Sequence, residues 1–595
     1  MDENETTTVV IVGAGPSGLM LGCNLTRYGI DVILLDYRPD KTSTGKADGM
    51  QPKTIETFKQ LRLADDLLRT GVRVYDIAFW ESTENTPLHR TGRQTHYPDH
   101  LVGASDPYIL LAHQGIIEDI LIGDIEERGV SVRRRSRFVS CERLSTGQVR
   151  VEYQSGSETR SILSDYLVGC DGARSVVRDF IPNAHLEGDV TNASWGVLDG
   201  VIETNFPDLW SKVAVRSHSA GSILWIPRER NMTRLYVQLS STDGEKVDKR
   251  MATPEYVMHR AVEAMRPFNL RWKTIEWFGN YVVGQRAARH FADDENRVFI
   301  AGDAGHCHSA LAAQGANTSM HDSFNLAWKI NLVVRGLANR RILRTYEDER
   351  RKIAKDLISF DAKHCEAFAQ GDDALARNFD ENIRFISGVG AEYSPGPLTL
   401  ETQVVSGLRP GALMVPARVV RYIDANPVDI QIDIPLLGQF RVYLFVPDVR
   451  TGIGFLQTVC EKVDSGLKEL NGLAQQSYQK RPRGWAKKDE LLQPQRYTSV
   501  SHFLTFALVT RSSRSLFEVV DLPDVLQKSR WTLYLDELDN PTCTEKWMGD
   551  VKSSQAGIAI VRPDGYAGGM GCWTVEQGEQ AAQWTQDYFQ ICRCI

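Results

Sequence analysis

The residues best suited to chemistry near the start of the chain are Gly13, Gly15 and Gly18 in a Gly-x-Gly-x-x-Gly run, with Asp36 behind them. In such a run the first glycine permits a tight turn and the second lets a pyrophosphate reach the backbone. The third lets helix and strand pack closely. An acid about twenty residues on accepts from a ribose hydroxyl, which is the place of Asp36, with Arg38 beside it as a further cofactor contact. Two later stretches carry related chemistry. In one, Asp171-Gly172-Ala173-Arg174 follows an apolar run, offering an acid and positive charge to phosphates or a nicotinamide cofactor. In the other, Gly302-Asp303 offers a carboxylate to a ribose or ribityl hydroxyl, and Gln314-Gly315-Ala316-Asn317 offers N–H groups to a ring oxygen. Between the first run and these stretches stand Asp48 and Gln51, on a polar loop where an acid either caps a turn or serves a site, and Gln114, which opens a helix. His306 and His308 lack an acid or cysteine set at matching spacing, so no metal is expected.

These residues need elements to hold them. The β-branched run Val9-Val10-Ile11-Val12 predicts a strand, Leu19 to Tyr28 a helix, and Val32-Ile33-Leu34-Leu35 a second strand ending on Asp36. Strand, glycine turn, helix, strand and acid together predict a dinucleotide-binding unit, whose helix start draws the phosphates. Tyr166–Cys170 and Arg297–Ala301 read as strands delivering Asp171 and Asp303, with a helix expected after Asp171-Gly172 and another over Met320–Leu332. From about 185 to 285 apolar and polar residues alternate, as in a sheet. Arg216, Trp225 and Tyr236 on that sheet are the expected substrate contacts. The chain divides accordingly into 1–184, the sheet 185–285, a return segment 286–395, a Gly/Pro-rich linker 396–430, and a final domain 431–595.

Composition sets the outer limits. A chain of 595 residues holds two or three domains, and a net charge of −7 argues against a general nucleic-acid binder. No apolar run is long enough to span a bilayer. The acidic start is not a signal peptide, and Cys592-Arg593-Cys594-Ile595 lacks the aliphatic centre of a prenylation signal. Ten scattered cysteines without a C-x-x-C pair suit free thiols in a reducing, cytoplasmic setting.

Gly13-Ala14-Gly15-Pro16-Ser17-Gly18, Asp171-Gly172-Ala173-Arg174-Ser175 and Ala301-Gly302-Asp303, in this order, resemble the single-component FAD-dependent aromatic hydroxylases. Tyr281–Arg286 and Val561–Tyr566 resemble their phenol hydroxylase branch, so the likeness covers nearly the whole chain. The resemblance implies an α/β fold: a Rossmann-like FAD-binding domain, an inserted β-sheet substrate domain, and a C-terminal thioredoxin-like domain that is redox-inactive and placed at a homodimer interface. It implies FAD as resident cofactor, NADPH (or NADH) as reductant without a second dinucleotide fingerprint, and O2 added as a flavin hydroperoxide to a phenolic or other electron-rich aromatic substrate. It also implies that Asp48 and Tyr281 act on that substrate, Asp48 by accepting the phenol proton.

The chain departs from the branch at Ala310, where a proline is usual, and at Ala312-Ala313 and Ala316 within the usual Gly-Gly-Gln-Gly-Met-Asn. A bulkier or unusual ring is therefore expected in place of simple phenol. Oxidative decarboxylation, dearomatisation or ring expansion, a role in secondary metabolism, a non-oxygenating flavin reductase or oxidase, and a flavin-binding regulator stay open on these residues.

Overall fold

The structure is a computed structural model that describes residues 5–45, 47–239, 252–309, 313–400 and 407–594. Its first sheet is built on strand Glu5–Val12, which lies parallel to Val32–Leu35 on one side and to Glu158–Gly169 on the other. Val298–Ile300 extends the parallel set beyond Glu158–Gly169. Val9, Val10 and Ile11 are wholly buried, as a parallel strand covered on both faces must be. Register brings Leu35, Val12, Gly169 and Ile300 side by side at the carboxyl ends of these strands. The three motifs that follow them therefore share one edge, where open α/β sheets bind ligands. Helices Pro16–Arg27 and Gly315–Val334 begin at that edge.

The second sheet has eight strands, in the order His306–Cys307, Leu270–Ala288, Leu186–Thr204, Thr233–Leu239, Gly221–Pro227, Lys212–Ser217, Asp76–Glu81, His89–Thr95. The alternation read from about 185 to 285 is this sheet, but two strands come from inside the stretch read as the first cofactor segment. Asp76–Glu81 lies parallel to Lys212–Ser217, and a parallel partner so far along the chain leaves no local turn signal.

Strand alternation divides the sheet into two faces. The inner face, with Phe79, Trp195, Val197, Leu224 and Tyr236, packs on Tyr97 and on Leu357, Phe360 and Phe379 from helices Arg344–Gln370 and Asp372–Ile386. The outer face, with Trp80, Phe206, Trp225 and Val237, packs on Val257 and Ala261 of helix Pro254–Ala264.

The C-terminal domain is thioredoxin-like. Strands Phe440–Phe445, Leu504–Thr510 and Leu533–Leu535 are parallel, and Gln555–Val561 and Ala567–Thr574 continue antiparallel. Its sheet also includes Arg418–Arg421 and Pro427–Asp429, so the 396–430 stretch is not a plain linker. Cys460 and Cys543 are fully buried in its cores, and burial pushes both thiols up, away from the thiolate that thiol chemistry needs.

A buried polar cluster ties this domain to the cofactor side. Arg562 donates to both Glu349 oxygens at 2.6 and 2.8 Å and to Asp564 at 2.7 Å, and Lys329 donates to Glu349 at 2.7 Å. Trp328 Nε1 donates to Asp564 at 3.1 Å. The Val561–Tyr566 motif thus places a fully buried arginine between two acids. Among the described residues no helix is long and apolar enough to cross a membrane.

Candidate active site

Gly13 has φ +102°, and a Cβ there would stand 2.3 Å from the Cys170 carbonyl oxygen. A Cβ on Gly18 would stand 1.9 Å from the Gly13 carbonyl oxygen. Both glycines are therefore required by close packing. A Cβ on Gly15 would meet nothing within 4 Å, so the backbone there faces open space. Helix Pro16–Arg27 starts from Gly15 with no side-chain cap, leaving first-turn N–H groups for an anion.

Asp36, 2 % exposed, accepts from Ala14 N at 2.8 Å and from Arg38 N and Nη2, both at 2.8 Å. Burial works against its charge, but Arg38 outweighs burial and holds the carboxyl below its usual range. Arg38 also donates to Thr42 Oγ1, whose neighbour Glu118 accepts from Gln114 Nε2 at 2.7 Å. These residues fit the adenosine end of a dinucleotide.

At the far end of the edge, Gly302 has φ +67° and donates its N–H to Asp322 at 3.0 Å. Asp303 next to it is exposed, with one long hydrogen bond from Ser319 Oγ at 3.4 Å. The acid is thus open to a hydroxyl from outside the chain. Helix Gly315–Val334 begins one turn earlier than its periodicity predicts, with Gln314 as N-cap. Asn317 ties that start to the Asp48 loop, accepting from Gln51 N at 2.9 Å and donating to the Gly49 carbonyl at 2.7 Å. Ala313 takes φ +52°, a left-handed conformation that glycine adopts more easily. Ala310, Ala312 and Lys46 lie outside the described residues. The open backbone at Gly15, the exposed Asp303 and the two free helix starts fit FAD along this edge.

The Asp171 motif departs from expectation. Its carboxylate accepts from Ser175 Oγ and from Val176 N at 2.7 Å, so it caps its own turn. Only a short 3-10 turn, Val177–Phe180, follows where a longer helix was expected, and Arg174 is exposed.

Asp48 is 4 % exposed, and its Oδ2 has no hydrogen-bond partner among the described residues. Two fully buried arginines flank it, with Arg234 Nη1 at 3.2 Å and Arg228 Nη1 at 3.6 Å. Both are already engaged: Arg234 is bidentate to Asp199 at 2.6 Å, and Arg228 pairs with Glu229 at 3.1 Å. Burial opposes charge on Arg234, but Asp48, Tyr236 and Asp199 hold it firmly protonated. Arg234 Nη1 also donates to the Tyr236 hydroxyl at 3.3 Å, which leaves that hydroxyl's own proton available.

Tyr281 lies on the same inner face, opposite Trp195 in register. Its ring is 41 % exposed, while its hydroxyl donates to the His308 carbonyl at 2.9 Å. No hydrogen bond joins it to Asp48, and Tyr236 is the phenol beside that acid. Tyr281 steadies a loop that Asp361 also holds through Ser309 N at 2.8 Å and Gln285 at 2.9 Å. Trp225 is corrected outright: it is fully buried on the outer face, with its indole donating to the Leu209 carbonyl at 3.3 Å, because odd and even positions of its strand face opposite ways. Arg216 shares the inner face but pairs with Glu81 at 3.7 Å, beside Gly371, at the sheet's rim. Sequence reasoning missed Arg228, Arg234 and Asp199, although Arg234 and Asp199 inside apolar, alternating strands were a visible signal; Arg228 lies in the turn between Gly221–Pro227 and Thr233–Leu239.

Comparison with known proteins gives the class, a FAD-dependent monooxygenase. Residues 6–361 match the FAD binding domain family, and residues 391–591 match the phenol hydroxylase C-terminal dimerisation domain. A 3-hydroxybenzoate 4-monooxygenase of Comamonas testosteroni is 32 % identical over 474 residues, covering 73 % of this chain and 74 % of that protein. A phenol 2-monooxygenase of Aspergillus fumigatus is 30 % identical over 470 residues, covering 75 % and 77 %. In fold, the chain superposes on the flavin-dependent monooxygenase PieE, solved with FAD and substrate. The TM-score is 0.71 at 18 % identity over 98 % of this chain and 99 % of that one. The chain belongs to the phenol hydroxylase family of FAD-dependent monooxygenases.

The open Asp303 carboxylate carries a prediction. Asp303→Ala removes a charged acceptor from the cofactor edge, so FAD affinity should fall about 10-fold or more. Equilibrium dialysis of FAD against the variant reads this directly, and unchanged retention would remove Asp303 from the cofactor contacts.

Proposed function

We propose that this enzyme uses NADPH and O2 to hydroxylate a phenolic ring held between the Asp48 loop and the inner face of the eight-stranded sheet. Bound, reduced FAD supplies the activation of O2; the protein supplies position, charge and exclusion of water. The observation that carries the reading is Asp48 Oδ2, a buried carboxylate oxygen without a hydrogen-bond donor, set beside two arginines. A phenol seated there donates its proton to Asp48 and becomes a stronger nucleophile at the ring carbon. The free proton of Tyr236 hydrogen-bonds the phenolic oxygen, and Arg234 steadies both. Relatives named for 3-hydroxybenzoate and phenol support this substrate class. The dimerisation-domain match supports a homodimer, and the scattered cysteines support a cytoplasmic setting.

The test is NADPH consumption by the FAD-loaded enzyme against a panel of phenols and hydroxybenzoates under 18O2. One labelled oxygen should enter the ring of the substrate that stimulates consumption. Consumption without labelled product in the whole panel would leave a flavin oxidase in its place.

The two tyrosines separate within this site. Tyr236→Phe removes a bond to the reacting oxygen and should raise KM and lower kcat about 10-fold. Tyr281→Phe removes one neutral hydrogen bond to a loop carbonyl, worth about 1 kcal/mol, and should act more mildly. Steady-state kinetics of both variants would reverse these roles if Tyr281→Phe were the more damaged.

A further inference from the structure

Asp303 stands on a turn that its own side chain hardly holds, since its bond from Ser319 is long. The turn is held from behind. Gly302 N and His306 Nε2 donate to Asp322 Oδ2 at 3.0 and 2.8 Å, and Arg350 Nε donates to Oδ1 of the same carboxylate at 2.7 Å. Asp322, His306 and Arg350 are all fully buried. Burial opposes the charge on Asp322, yet Arg350 draws its carboxyl below the usual range. Arg350 also donates from Nη2 to the Thr318 carbonyl at 3.4 Å, in the first turn of helix Gly315–Val334. One arginine thus braces both the Gly302 turn and the helix start beside it.

The group that holds Arg350 comes from the other domain. Its Nη1 donates to the Tyr393 hydroxyl at 3.1 Å, and residue 393 lies inside the stretch 391–591 matched to the dimerisation domain. Asn325 Nδ2, on the same helix as Asp322, donates to that hydroxyl at 3.2 Å. The Tyr393 oxygen therefore receives two donors from the FAD-binding side. Its ring stacks on Tyr566 with centroids 4.1 Å apart, in a small core with Ile353, Ala391 and Leu413.

We infer that Tyr393, clamped by Tyr566, is a positioning residue for FAD: the docked C-terminal domain orients Arg350, and Arg350 acts through Asp322 on the turn that presents Asp303. A domain without thiol chemistry thereby gains a task at the cofactor edge. The inference rests on Asp303 as a cofactor contact, which Asp303→Ala tests separately. Linkage makes the effect reciprocal, so whatever docking adds to FAD affinity, bound FAD adds to docking.

The test is the FAD dissociation constant of the full chain, read by equilibrium dialysis. Tyr393→Phe keeps the ring on Tyr566 and removes only the oxygen facing Arg350. The constant should rise about 5- to 20-fold, as for one lost hydrogen bond to a charged group. Asp322→Asn breaks the next link, and adding Tyr393→Phe to it should change the constant by less than about twofold. Tyr443→Phe, in another core of the same domain, should leave the constant unchanged. In the unaltered chain, added FAD should slow amide hydrogen exchange across residues 561–566. Normal FAD affinity in Tyr393→Phe would overturn the inference, as would an undiminished effect in the Asp322→Asn background or an equal effect from Tyr443→Phe. Exchange at 561–566 that ignores FAD would overturn it even where the variants fail to fold. Weak binding by Asp303→Ala beside normal binding by Tyr393→Phe leaves the cofactor edge as described and removes the C-terminal domain from it.

Discussion

Asp48→Asn should lower hydroxylation by about 10²–10⁴-fold while FAD stays bound, the usual range for removing a general base. Asparagine matches aspartate in size and takes no proton from a phenol. The fold should tolerate it, because Ala112 N donates to the Asp48 backbone carbonyl at 2.8 Å and that bond is untouched. Nor are the flanking arginines stranded: Arg234 keeps its bidentate pair with Asp199, and Arg228 keeps Glu229. The residues proposed to hold the cofactor, Gly15, Asp36 and Asp303, belong to other strand ends. NADPH oxidation should therefore continue with poorer coupling, seen as hydrogen peroxide released per NADPH consumed. A variant with the rate and coupling of the unaltered enzyme would make Asp48 a turn residue and place the base elsewhere.

Arg562→Met should have the largest effect on stability. Arg562 is fully buried and neutralises Glu349 and Asp564 together. Methionine fills much of the same volume and leaves Lys329 as the one cation that pairs with Glu349, while Asp564 keeps only its neutral donors Trp328 and Asn325; breaking a buried pair from one side costs about 3–5 kcal/mol. In a chain of several domains the loss should appear as an earlier, separate thermal transition. Adding Glu349→Gln should recover part of it, since one stranded charge is then gone; a melting curve unchanged by Arg562→Met would refute the account. The cluster also predicts acid sensitivity. Burial alone would raise the Glu349 carboxyl, but Arg562 and Lys329 bring it down to about 2, from an ordinary value near 4.5. A depressed acid stabilises the fold fully above its unfolded value and loses that contribution as pH falls. The Glu349 share should fade between about pH 4.5 and 2, and Arg562→Met should flatten that part of the stability profile.

The cofactor edge was legible in the sequence because its demands are local. Gly13, Gly15 and Gly18 answer to one turn, and Asp36 and Asp303 each end an apolar strand. The substrate side was legible only in part. Alternation showed a sheet, but not which parity faces the cofactor, so Tyr236 fell on the inner side and Trp225 on the outer. The join of Asp76–Glu81 to Lys212–Ser217 is set by tertiary packing and leaves no mark in either segment. Tyr281 was assigned to the reacting ring by family likeness alone; it stands on the inner face, with its hydroxyl bonded to a backbone carbonyl. The Arg234–Asp199 pair was within reach, since charged residues do not enter apolar strands without a partner; Arg228, in a turn, gave no such sign.

The two faces of the substrate sheet also bear on how this enzyme can change. Its outer face, with Trp80, Phe206 and Trp225 against helix Pro254–Ala264, holds the sheet together and touches nothing that reacts. Its inner face presents Lys212, Leu224, Arg234 and Tyr236 toward the Asp48 side. On the proposed site, the inner positions that are not packed on the helices set the fit to the ring, while the outer positions keep the scaffold folded. Selection for a new substrate can act on one set of side chains without eroding the other.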